Sequence, residues 1–70
     1  MTTIANVNWI PNNWYEILYV DESKIVFQYL TINPNGQHLV KLCDGTNKYD
    51  RFEKPIKDII NFGSKSPCSK

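Results

Sequence analysis

At 70 residues, 41% hydrophobic and 13% aromatic, the chain has the length of one small domain and too much apolar material for a disordered segment. Folding at that length buries only about 60% of the surface of the unfolded chain, which argues against a broad active-site cleft. Eight basic and seven acidic residues give a net charge of +1, too balanced for a dedicated binder of the phosphate backbone.

Seven of the eight basic residues are Lys, so Arg51 is the single guanidinium available for bidentate recognition. No apolar run approaches the roughly 20 residues of a membrane helix, and the N-terminus lacks a basic segment followed by an apolar core. The expected setting is cytoplasmic. In that setting Cys43 and Cys68 are read as a core-side thiol and a tail thiol, with a bridge between them as the alternative.

In chain order, Ile4 and Val7 suit the start of a short strand, and Pro11, Asn12 and Asn13 interrupt it. Trp9 to Trp14 is then a loop flanked by two indoles, whose rings suit either the end of a core or a contact surface. From Trp14 to Val20 alternation predicts a strand with Tyr15, Ile17 and Tyr19 on one face. Asp21-Glu22-Ser23 is a polar break, and Lys24 to Ile32 is a second strand with Ile25, Phe27, Tyr29 and Thr31 on one face and Val26, Gln28, Leu30 and Ile32 on the other.

The turn that follows is the clearest local signal. Pro34 presets the second position of a type I turn, Asn35 suits the third, and Gly36 can take the left-handed conformation of a bulged hairpin loop. A third strand, His38 to Cys43, places Val40 and Leu42 inward and leaves His38 partly exposed. Asp44-Gly45 is a second turn dipeptide, and Lys48 to Phe52 supplies a fourth strand. Beyond it the period changes: Pro55 suits the first position of a helix, Ile56, Ile59 and Ile60 mark one helical face, and Gly63 ends it.

Strands with apolar groups on both faces in so short a chain predict an all-β fold, a small antiparallel barrel of 4–5 strands. A short C-terminal α or 3₁₀ helix over Pro55 to Phe62 would cap it. The domain is expected over residues 1–63, with 64–70 as a disordered tail.

The segment Leu39-Val40-Lys41-Leu42-Cys43-Asp44-Gly45, with Tyr49-Asp50-Arg51-Phe52 and Pro55-Ile56-Lys57-Asp58-Ile59 after it, resembles the C-terminal half of Tudor-like members of the SH3-like small-barrel class. That resemblance implies a binding module. Some Tudor-like domains hold methylated Lys or Arg in an aromatic cage, for which the rings here are Trp14, Tyr15, Tyr19, Tyr29, Tyr49 and Phe52.

Catalytic chemistry finds little support. His38 and Cys43 lie five apart on one strand and project to opposite faces, and no nucleophile elbow is present. No Cys-x-x-Cys spacing or glycine-rich phosphate loop occurs, so neither a metal nor a nucleotide cofactor is expected. The chain is therefore read as a non-catalytic module that binds a protein partner through Trp9, Trp14, Tyr15, Tyr49, Arg51 and Phe52. A small accessory or inhibitor protein, including one encoded by a virus or mobile element, fits that profile. Tyr19, Val26, Leu30 and Ile32 supply a second-face patch on which a homodimer, in place of a monomer, would form. The alternative is a single-stranded nucleic-acid binder that uses Lys41, Lys48, Arg51, Lys54 and Lys57 interleaved with Tyr49 and Phe52.

Overall fold

The computed structural model describes residues 8–68, so the strand expected around Ile4 and Val7 lies outside the described residues. Five strands form one antiparallel sheet: β1 (Trp14–Tyr19), β2 (Lys24–Ile32), β3 (His38–Leu42), β4 (Asn47–Asp50) and β5 (Ile56–Gly63). Their order is β4-β3-β2-β1-β5, a four-strand meander with β5 returned to the free side of β1. The sheet is open, with β4 and β5 as its two edges, where a closed barrel was expected.

Three hairpins build the meander, and all three use the same loop. Tyr19, Asn33 and Leu42 each donate their N–H to the carbonyl four residues on and accept the N–H three residues on. The fourth residue of each loop is left-handed: Glu22 (φ 74°), Gly36 (φ 83°) and Gly45 (φ 88°). A side-chain oxygen from Asp21, Asn33 or Asp44 accepts the N–H two residues on, which is why these short acids and amides recur in the turns. The Pro34-Asn35-Gly36 reading is realised as expected.

The helix expected over Pro55 to Phe62 is absent, and the segment is strand β5. Ile56 pairs with Tyr19 and Ile59 with Ile17, and a register shift between Leu18 and Tyr19 inserts one extra residue on β5. Two residues three apart therefore face the same side of a strand, which imitates a helical face in the sequence. The unpaired side of β1 decides the outcome, because its backbone groups gain a ladder partner from β5 and would gain none from a helix. Pro55 sits just before the strand, and its carbonyl accepts the Val20 N–H at 3.1 Å.

The inner face of the sheet carries Tyr15, Ile17, Tyr19, Phe27, Tyr29, His38, Val40 and Ile56, all buried. One face of an open sheet needs a cover. Trp9 and Phe52 provide it from outside the sheet, and Trp9 stacks on Tyr29 at 5.3 Å and 6° and meets Tyr15 edge-on at 4.8 Å. Phe52 lies against Phe27 at 5.2 Å and against Trp9 at 5.8 Å. The loop that carries Trp9 is held by Ile10 N–H to Tyr15 Oη, Asn12 N–H to the Tyr29 carbonyl and Tyr29 N–H to the Asn13 carbonyl, at 2.9, 2.7 and 2.9 Å.

Among the three identical loops, Glu22 alone carries a side chain at the left-handed position. Glu22→Gly should raise stability by about 0.5–1 kcal/mol, the strain relieved less the added chain entropy of Gly and an exposed ion pair to Lys57. Gly45→Ala, which meets no steric neighbour, should lower stability by about 1–2 kcal/mol from backbone conformation alone. Chemical denaturation of both variants checks the pair, and equal shifts of one sign would contradict the shared-loop account.

Candidate functional site

A surface cleft of about 390 Å³ is lined by Trp14, Lys41, Leu42, Cys43, Asp44, Gly45, Ser66 and Cys68. The chain after β5 forms one wall. Gly63 pairs with Trp14, and from there residues 64–68 run toward the end of β3, where Cys68 is bonded to Cys43. The two thiols expected from the sequence are thus a disulfide, and 64–68 is a strap tied past β1 and β2 to the end of β3. Proximity explains the pairing: with Cα atoms 5.6 Å apart, the two cysteines lie within bridging range.

Trp14 alternates with the buried Tyr15 and so belongs to the outer face, where it is half-buried beside the strap. Lys41 and Asp44 put opposite charges at the cleft. Hydrogen bonds from Thr46 hold the Asp44 carboxyl below the usual carboxylate range, so it stays ionised at neutral pH. The ion pairs among the described residues join Lys24 to Glu16, Lys48 to Asp50, Lys54 to Asp21 and Lys57 to Glu22, and leave Lys41, Arg51 and Lys65 without one.

The six residues expected at a partner surface divide into two groups. Tyr15 and Phe52 are core side chains, and Trp9 packs against the core beneath the loop, because the open inner face takes up the bulky rings nearest to it. Trp14, Tyr49 and Arg51 remain outside, with Tyr49 56% exposed. Of the cage candidates, Tyr15, Tyr19, Tyr29 and Phe52 are buried, which leaves Trp14 and Tyr49 on the surface. The homodimer patch also splits, since Tyr19 is buried on the inner face while Val26 and Leu30 are half-buried and Ile32 is exposed.

The basic and aromatic series of the nucleic-acid reading is dispersed. Lys48, Lys54 and Lys57 are ion-paired, Phe52 is core, and the Lys54 ammonium also lies 4.5 Å from the centre of the Tyr19 ring. His38 and Cys43 do not meet as a pair: the sulfur of Cys43 is in the bridge, and His38 is buried beneath the aromatic rings. What the sequence reading missed is the strap and the Leu42, Cys43 and Ser66 side of the cleft. The two cysteines were the one signal that could have found it.

His38, 8% exposed where partial exposure was expected, is the one buried polar side chain among the described residues. Its Nδ1 lies 2.9 Å from the Tyr29 hydroxyl, and burial holds its pKa below the ordinary 6.5 against an opposing pull from Asp50. No protein-family model, curated protein or solved structure matches this chain.

Two measurements follow from this geometry. Joining residues 25 apart stabilises the fold by about 3 kcal/mol through loop entropy, so the Cys43→Ala/Cys68→Ala variant should unfold at lower denaturant and ignore dithiothreitol, while the wild type drops to match it on reduction. Because the folded chain favours neutral His38, its contribution to stability is complete above pH 6.5 and is lost as pH falls through the lowered folded value. His38→Gln should flatten that part of the stability profile and keep the later acid loss from Asp21, whose carboxyl is lowered to about 2. An unchanged slope just below pH 6.5 in the variant would contradict the assignment.

Proposed function

We propose that the chain is a non-catalytic interaction module that grips a protein partner at the Trp14 cleft and along the neighbouring β3–β4 hairpin. The observation that carries this reading is the cleft itself. A half-buried indole stands beside a strap tied by a disulfide, with ionised Asp44 at its rim together with Lys41, which has no ion pair among the described residues, and the exposed Tyr49 on the adjacent strand. An indole in a partly enclosed site, ringed by polar groups, is the pattern in which a few residues carry most of the binding energy. A peptide segment with one bulky apolar side chain between polar neighbours suits those groups.

The four-strand meander and the return of β5 to β1 support a relation to SH3-like, Tudor-like barrels, here with the barrel left open. Of the resembling segment, Leu39 to Leu42 lies in β3 and Tyr49 and Asp50 in β4, whereas Ile56 to Ile59 lies in strand β5 in place of a closing helix. The Cys43–Cys68 bridge supports a working place that is oxidising, in contrast to the cytoplasmic setting expected from the sequence.

The test is a cross-linking pull-down from cells that make the chain naturally, followed by affinity measurement with the captured protein. Wild type and Lys65→Ala should capture the same partner, while Trp14→Ala and Asp44→Lys should each weaken it by about tenfold or more. A partner bound equally by all four forms would refute the site. A complex with single-stranded DNA that dissolves as salt rises would favour the nucleic-acid reading in its place.

A further inference from the structure

The open sheet has two free edges, and they differ. On β5, Ile59 faces away from β1, and its N–H is taken by the Asp58 carboxylate at 2.9 Å. Near the end of the same strand, the Asn61 side chain takes the Gly63 N–H at 2.8 Å. Side chains that occupy edge donors in this way block the addition of another strand.

β4 lacks that protection. The Leu42 N–H to Thr46 carbonyl bond, at 2.8 Å, sets the phase of the β3–β4 ladder. Alternation then makes Lys48 and Asp50 bond to β3 and turns the backbone groups of Asn47 and Tyr49 outward. Neither outward N–H has a partner among the described residues. Lys48 and Asp50 pair with Val40 and His38 and so lie on the inner side, 3.6 Å apart along the strand, whereas Tyr49 stands on the outer side.

We propose that β4 is the interface of a two-fold dimer, in which β4 of a second copy pairs antiparallel and in register on Tyr49 to make one continuous sheet. The charges select that occupant and that register. A two-fold pairing about Lys48 would oppose two ammonium groups. Centred on Tyr49, the same edge sets each Lys48 opposite the second copy's Asp50, and the two intrastrand ion pairs merge into a ring of four alternating charges. Tyr49 of each copy meets its own image at the axis, with reciprocal N–H to carbonyl bonds and the two exposed rings side by side on the outer face. A short edge buries little area, so the dimer is weak and concentration-dependent. It goes beyond the partner-binding reading and would place two Trp14 clefts on one side of a single sheet.

Sedimentation of the oxidised full chain from about 10 μM to about 1 mM tests it. The expected result is a mass that rises from monomer to dimer, with the amides of Asn47 and Tyr49 gaining exchange protection as Ile59 stays unchanged. Tyr49→Pro removes an outward N–H and no ladder bond to β3, so it should keep its melting transition and remain monomeric. Lys48→Glu, which touches no backbone bond, should weaken the dimer by about tenfold by surrounding the axis with four carboxylates, and it carries the test if Tyr49→Pro does not fold. A wild type that stays monomeric at about 1 mM overturns the proposal. So does a dimer that survives Lys48→Glu or a folded Tyr49→Pro unchanged, since its interface would lie elsewhere.

Discussion

The structure depends on two aromatic rings that lie on a sheet without belonging to it. Trp9 and Phe52 come from the segments before β1 and after β4, and together they keep the inner face dry in a domain only 18 Å thick. Phe52 pays for its place with a left-handed backbone (φ 53°), about 1–2 kcal/mol for a residue with a side chain. Full burial of its ring returns about 1.5–3 kcal/mol, and the Asp50 carboxylate accepts its N–H at 2.8 Å, so the balance favours the strained conformation. The Trp9 loop has no such strain at the ring itself and is held by its bonds to Tyr15 and Tyr29.

That use of aromatic rings sets what is left for contact. Tyr15, Phe27, Tyr29, Phe52 and His38 pack around Trp9 on the inner face, so the outer surface keeps Trp14, Tyr49 and a scatter of half-buried aliphatic side chains. The indole of Trp9 is also the place where the cover is imperfect: its Nε1 is buried and has no acceptor among the described residues. The outer face gains relief where the strap from β5 crosses to Cys43, and relief of that kind is what separates a cleft from a flat sheet.

Particular residues show how far a reading of the chain could go. Asn33-Pro34-Asn35-Gly36 and Asp44-Gly45 announced their hairpins because turn conformation is a local property, and the facing of Tyr15, Ile17, Phe27 and Val40 followed from a period of two. The Glu22 loop was legible only as a polar break, since a side chain at a left-handed position leaves no compositional mark. Ile56, Ile59 and Ile60 misled because a single extra residue in β5 resets the phase and gives a strand the spacing of a helix.

Local chemistry alone therefore determined the turns, the four strands of the meander and which residues of a strand share a face, because neighbours in sequence decide backbone conformation and alternation decides sides. Only the tertiary structure decided that the sheet stays open, that β5 is a strand, that Trp9, Tyr15 and Phe52 are core, and that Cys43 meets Cys68. Each of these brings together residues far apart in the chain, and which distant groups share a place depends on which unpaired edge or uncovered apolar face most needs a partner.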